Sequence, residues 1–200
     1  METTKSSQKI LKILLKEFTI EQTITSLAET IVMSRVGIWK VLKKLQSKEL
    51  IILSKVGIGK TNTYIIKLNW DNPLIEKMLS LILTEDALKN QRWLNNFLEL
   101  ENKVDFLILY GSIINYPKEA KDIDILNVLS NKNRFLEIEE SIRTIQKTQI
   151  KKIHALNITQ NEFKQELEKP NNVFIDAVNK GIVLFGQEKF IRLIRGISIK

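Results

Sequence analysis

Residues 104–129 read VDFLILYGSIINYPKEAKDIDILNVL, and this stretch decides the fold of the C-terminal half. Val104 to Tyr110 is an apolar run of strand length that ends at Gly111-Ser112. After a nine-residue gap, Asp122-Ile123-Asp124 opens a second apolar run, Ile125-Leu126-Asn127-Val128-Leu129. Alternate residues of a strand project from one face, so Asp122 and Asp124 point together while Ile123 points away. Two carboxylates side by side at the head of an apolar strand are costly unless they share a cation. Mg2+ carrying a nucleoside triphosphate fits, because hard oxygen ligands take the metal and the metal bridges phosphate oxygens. Gly111 allows close approach of the backbone, and the Ser112 hydroxyl and amide suit phosphate oxygens. The plainer reading is a pair of strand-end polar residues.

The Leu109-Tyr110-Gly111-Ser112 segment, the gap and Asp122-Ile123-Asp124-Ile125-Leu126 resemble the Gly-Ser…Asp-x-Asp signature of the polymerase-beta-like nucleotidyltransferase superfamily. The match is best within its minimal nucleotidyltransferase group, often paired with small helical partner proteins in bacteria and archaea. The Phe174 to Phe190 passage, with Ala177-Val178-Asn179-Lys180-Gly181-Ile182-Val183-Leu184-Phe185-Gly186, resembles that group's final helix, strand and short helix. The resemblance covers about residues 101–195. It implies catalytic roles for Gly111, Ser112, Asp122 and Asp124, Mg2+ held by Asp122 and Asp124, and a nucleoside triphosphate as ligand or substrate.

This chain departs from the family pattern in the loop. Ile114, Asn115 and Tyr116 stand where Ala-Arg-Gly is usual, and Lys121 where a Ser precedes the first Asp. Loss of the Arg removes a triphosphate contact, which Lys118 or Lys121 is placed to replace. Many superfamily members also carry a third acid on the strand after the next helix. Here the helix is expected over about 134–146 and the strand over about 149–156, and no Asp or Glu occurs between Glu140 and Glu162. Glu162 completes a Thr159-Gln160-Asn161-Glu162 capping box. His154 lies on that strand, where a lone histidine is ordinarily packed or hydrogen-bonded.

The N-terminal third has a different pattern. Ile10, Leu11, Leu14, Leu15 and Phe18 recur at helical spacing, and Thr23 caps a short second helix to about Ile31. Ser34 caps a third helix whose apolar positions are Ile38, Leu42 and Leu45. Ile51-Ile52-Leu53 and Thr63-Tyr64-Ile65-Ile66-Lys67 form a hairpin around a turn-rich tip at 56–62. The run from Ser34 to Ile51 resembles the recognition-helix-to-wing passage of winged-helix transcriptional regulators, over about residues 5–68. That resemblance implies double-stranded DNA as a partner. Ser34, Arg35, Trp39, Lys40, Lys43 and Lys44 are the contact residues on the helix, with Lys55 and Lys60 at the wing. Solvated helix lysines and a packed Trp39 are the plainer alternative.

Charge follows the same division. Residues 1–70 hold 12 Lys/Arg against 5 Asp/Glu, residues 71–130 hold 6 against 10, and residues 131–200 hold 13 against 8. A basic first third suits a polyanion. The absence of cysteine excludes disulfide scaffolds and Cys-ligated metal sites, and the single histidine excludes a two-His site. No apolar stretch approaches the roughly 18–20 residues that span a bilayer, and the first residues lack a secretion-signal pattern. A cytoplasmic protein without membrane association is the expectation.

Together these readings give an α/β (α+β) chain. They place a winged helix-turn-helix DNA-binding domain over 1–70, a helical connector over 71–100 with a break near Thr84, and a small mixed-sheet nucleotidyltransferase-like domain over 101–200. The apolar connector, Leu74 to Leu98, suggests a homodimer. The expected function is a DNA-binding transcriptional regulator that binds Mg-nucleotide. The alternative is an active nucleotidyltransferase in a toxin–antitoxin-like module, moving a nucleoside monophosphate onto a partner protein or small acceptor.

Overall fold

Three short helices and a hairpin form where apolar spacing and capping residues direct them. The computed structural model describes residues 4–57, 63–169 and 173–198, and the chain divides into one unit through Ile82 and a second from Leu83 to Ile197. The first unit holds α1 (Lys5–Lys16), β1 (Gln22–Thr23), α2 (Ile24–Ile31), α3 (Arg35–Gln46), β2 (Ile51–Val56) and β3 (Thr63–Leu68). Its sheet runs in the order β1-β3-β2, antiparallel throughout. This is a winged helix-turn-helix.

Ile10, Leu11 and Leu15 of α1, Leu27 of α2 and Ile38, Leu42 and Leu45 of α3 meet in the core with Leu50, Ile51 and Ile66. Thr23 caps α2 in a capping box with Ser26, and the Ser34 hydroxyl accepts from the Gly37 N–H at the head of α3. The turn between α2 and α3 passes through Val32, which adopts a left-handed conformation at φ 58° and leaves its side chain exposed. Only glycine takes that conformation freely, so the sequence carries no sign of this stop. β1 also escapes the sequence reading, because two residues cannot display a period. Strand β2 extends through Val56, paired with Thr63, where the sequence suggests the tip begins. The expected tip residues Ile58, Gly59, Lys60, Thr61 and Asn62 lie outside the described residues.

Helix α4 (Pro73–Leu88) starts at Pro73, with the Asn72 Oδ1 accepting from the Leu74 N–H at 2.9 Å. The expected break near Thr84 does not occur. Leu83 and Ala87 on either side are buried, and a single Thr costs a helix only a few tenths of a kcal/mol, about 0.5, relative to Ala. The helix ends at Leu88 instead, and Asn90 folds back to donate to the Asp86 carbonyl before α5 (Gln91–Phe97) begins. No helix among the described residues is long and apolar enough to cross a membrane.

The second unit continues with β4 (Phe106–Tyr110), β5 (Asp122–Leu129), α6 (Phe135–Gln146), β6 (Lys152–Thr159), α7 (Gln160–Leu167), α8 (Val173–Lys180), β7 (Ile182–Phe185) and α9 (Gln187–Ser198). The sheet order is β6-β5-β4-β7, with β5 and β6 parallel and the other pairs antiparallel. The whole chain is therefore an α+β protein with a small mixed sheet. Leu107, Leu109, Ile123, Ile125 and Leu129 of the sheet pack with Trp93 and Phe97 of α5 and Ile138 and Ile145 of α6. Phe106, of opposite parity, faces the other way and meets the rings of Phe163 in α7 and Phe190 in α9 at 5.7 and 5.5 Å.

Two boundaries differ from those read in the sequence. β6 starts at Lys152, because Gln146 reaches past the end of α6 and donates to the carbonyls of Gln149 and Lys151, holding 149–151 in a turn. The strand then runs to Thr159, where the Thr159–Glu162 capping box opens α7. Hydrogen bonds from Lys132 and from the Thr159 N–H and hydroxyl hold the Glu162 carboxyl down at about 2. That carboxylate is committed to the helix start, the structural role the sequence pattern indicates.

Candidate functional site

Strand register assembles the acidic site. In the antiparallel pairing of β4 with β5, Tyr110 lies opposite Asp124; in the parallel pairing of β5 with β6, Asp122 aligns with Lys152 and Asp124 with His154. Residues in register share a face, so Asp122, Asp124 and His154 stand together on the side of the sheet that also carries Phe106. The His154 Nδ1 is 3.4 Å from the nearer Asp122 oxygen and 3.6 Å from that of Asp124. One ligand atom from each of the three lies within 4.8 Å of the others.

The carboxylate pair is under electrostatic stress. Partial burial pushes the Asp124 carboxyl above its usual range, the charge of Asp122 pushes it further, and His154 only partly offsets them. Burial and the charge of Asp124 likewise raise the Tyr110 hydroxyl. Gly111 follows directly, in a left-handed conformation at φ 81°. A Cβ there would stand 2.4 Å from an Asp124 carboxylate oxygen, so only glycine lets the loop close onto the acid.

Ser112 lines an open recess of about 370 Å³ with Tyr116, Glu119, Ala120, Lys121 and Asp122. The structure thus brings together Gly111, Ser112, Asp122 and Asp124. Lys121 sits in the same recess, whereas Lys118 is not among its lining residues. The Lys118 and Ala120 carbonyls accept from Lys151, which ties this loop to the approach to β6. The sequence pattern places His154 on a strand but not beside the acids. Only the register of β5 against β6 reveals that, and no local motif encodes it.

On the winged helix, burial of Ile38, Leu42 and Leu45 turns Arg35, Lys40, Lys43 and Lys44 to solvent. Trp39 is half-buried and packs against Tyr64 of β3 at 5.3 Å between ring centroids, with the Lys43 ammonium 4.7 Å above its ring. Arg35, Trp39 and Tyr64 border one open groove with Ile24, Thr25, Val36 and Thr63. The Ser34 hydroxyl is engaged in the cap of α3. Lys55 is exposed on β2 opposite Tyr64, and Lys60 lies outside the described residues. Tyr64 is the residue here that the sequence reading passes over, since in a strand pattern it looks like any other aromatic.

Residues 93–189 match the family model described as polymerase beta, nucleotidyltransferase. The segment that follows the winged helix-turn-helix is thus similar to the polymerase-beta nucleotidyltransferase family. Among solved structures, it is similar to a variant of ZitR from Lactococcus lactis, at 26% identity over 52% of this chain and 63% of that one, with a TM-score of 0.34. It is also similar to ZitR described as a zinc-responsive MarR family member, at 18% identity over 74% of this chain and 76% of that one, TM-score 0.34. A third is the adhesin competence repressor AdcR of Streptococcus pyogenes, at 18% identity over 73% and 81% of the two chains, TM-score 0.35. No curated protein matches the sequence.

The stress on the acid pair has a measurable sign. A carboxyl whose folded pKa is raised binds its proton more tightly when folded, so its share of stability is greatest below the ordinary aspartate value of 3.8 and is lost as pH rises through the raised value. In chelator, Asp124→Asn is therefore expected to unfold at a higher temperature than wild type near pH 7, with the gap closing toward about pH 3. Thermal melts across that range check it; a variant less stable than wild type near neutrality contradicts the reading.

Proposed function

We propose that this chain is a DNA-binding transcriptional regulator whose nucleotidyltransferase-like domain binds a Mg-nucleoside triphosphate at Asp122 and Asp124. The observation that carries the first half is the split of α3, with Ile38, Leu42 and Leu45 buried and Arg35, Lys40, Lys43 and Lys44 exposed on a fold whose first 70 residues are strongly basic. Cationic side chains in such an array suit phosphates and base edges of a major groove, with Lys55 on β2 available to the backbone. Trp39 serves chiefly to fix α3 against Tyr64, and Ser34 to start the helix, so base reading falls to Arg35 and Lys40.

For the second half, the residues present suit a divalent ion. Two carboxylates converge, and the stress that burial and the Asp122 charge put on Asp124 is the kind a cation relieves. Mg2+ held by Asp122 and Asp124 would supply positive charge to offset that of a bound phosphate group. The chain's own part is to hold Asp122 and Asp124 on one face, to let the backbone approach at Gly111, and to offer the Ser112 hydroxyl and Lys121 to an anionic group in the adjoining recess. The family match favours a second reading, in which the domain also transfers a nucleoside monophosphate to a partner protein, such as a small helical one, or to a small acceptor. Labelled-nucleotide incorporation separates it from binding alone.

The regulator acts as a homodimer in this reading, located in the cytoplasm. Leu74, Leu81 and Leu88 are all exposed on α4 and recur every seven residues, the spacing that lines up one seam of a helix for pairing. Leu81→Glu is expected to convert the dimer to a monomer in light scattering, and a wild-type monomer at micromolar concentration contradicts the pairing.

The DNA test is fluorescence anisotropy of the full chain with a duplex at rising salt. Binding is expected to weaken steeply, with a log–log slope of about −3 or steeper if three or more phosphates are neutralised. Arg35→Ala and Lys40→Ala are each expected to cost about 1–3 kcal/mol where they contact a base edge, and less, uniformly across sequences, where they contact only phosphate. Salt-independent binding, or unchanged affinity in both variants, overturns the assignment.

A further inference from the structure

The metal reading of Asp122 and Asp124 assigns nothing to His154, yet the imidazole stands at the same point of the sheet. His154 is on β6, aligned with Asp124 by the parallel pairing. Its Nδ1 is the nitrogen turned toward both carboxylates, at 3.4 and 3.6 Å. Those separations are longer than a charge-assisted hydrogen bond of about 2.7–2.9 Å. They are, however, the edges expected of a triangle of ligand atoms around one ion, since atoms each about 2.0–2.2 Å from a metal lie some 3–4 Å apart. Its side chain is 48% exposed, against 34% for Asp122 and 25% for Asp124, so an ion reaches all three from solvent on the imidazole side.

Beyond its partial offset of the acid pair, no packing role among the described residues accounts for the imidazole. It is not packed into the core, and no described residue other than the two acids forms a pair with it. The position is on an edge strand, open to solvent on its unpaired side.

Resting on the metal reading above, we infer that His154 is a third protein ligand of this site, and that the Asp-Asp-His donor set selects a borderline first-row ion such as Zn2+ or Mn2+ over Mg2+. Two carboxylates alone suit a hard ion that keeps most of its waters, as Mg2+ does. Exchanging one of those waters for an imidazole nitrogen adds little for Mg2+. For Zn2+ and Mn2+ it adds a donor they take readily, with Zn2+ the tighter of the two. The ligand is bound by coordination only, so no bond of the protein is made or broken; a proton leaves the imidazole if it is charged at the time.

Because the chain has one histidine, the imidazole reports on itself. In tag-free full-length protein, nitrogen-15 spectra of the side chain are expected to show the Nδ1 resonance shifting when one equivalent of Zn2+ is added. Mg2+ in large excess is expected to leave it in place. In calorimetric titrations His154→Asn is expected to weaken Zn2+ and Mn2+ by about tenfold or more while changing Mg2+ affinity less than about twofold. A thermal melt of the variant verifies that it is folded, as an exposed position should allow. Zn2+ binding with no movement of the imidazole resonance overturns the inference, as does equal loss of Zn2+ and Mg2+ in His154→Asn. Both readouts are taken without nucleotide. A site that binds Mg-nucleotide but ignores His154 leaves the functional proposal intact, whereas a site that binds ions through His154 but never binds nucleotide removes that proposal and keeps this one.

Discussion

Register is the constraint on which the second unit depends. β5 lies between an antiparallel neighbour and a parallel one, and both must accept its side chains in a single alignment. Ile123 and Ile125 face Phe97 and Ile138, while Asp122 and Asp124 face the opposite side. A slip of one residue would drive both acids into the apolar cluster and expose the isoleucines, at a cost far above any gain in the loops. The alignment that protects the core is therefore the one that sets Asp124 between Tyr110 and His154. The acidic site is fixed by packing several residues away from it.

The two ends of the sheet treat carboxylates differently. Asp105, just before β4, is partly buried, which works against its ionisation. Lys189, Ser130 and Gln160 all donate to it and hold it below its usual range. Asp124 suffers the same burial, faces a second carboxylate as well, and has only His154 on its side. One carboxylate is satisfied from within the protein; the other pair is left oriented, accessible and short of positive charge. In the function we propose, a cation from solution would complete that end in the way Lys189 completes the other.

Much of this was legible in the sequence, and what was hidden has a common cause. The caps at Thr23, Ser34 and Thr159 are readable because a cap is a local pattern of a few residues. So are the buried positions of α3, the strand pair around Gly111-Ser112 and the shared face of Asp122 and Asp124. The continuous run of α4 through Thr84 differs from the local pattern because burial of Leu83 and Ala87 outweighs a weak local preference. The late start of β6 was hidden in Gln146, whose side chain holds the turn at 149–151 from outside it. His154 and Tyr64 gain their meaning from neighbours about 30 and 25 residues away in the chain, through strand pairing or ring packing that no periodicity announces.

The central claim is that the acid pair on β5 exists to hold a metal-bound nucleotide. Isothermal titration of ATP, GTP, CTP and UTP into the full chain, with and without Mg2+, tests it most directly when run beside Asp122→Asn. Heat that requires the divalent ion is expected for at least one of the four, with its loss in the variant while the melting behaviour of the fold is kept. Absence of ion-dependent heat with every nucleotide, or the same heat in Asp122→Asn as in wild type, would contradict it.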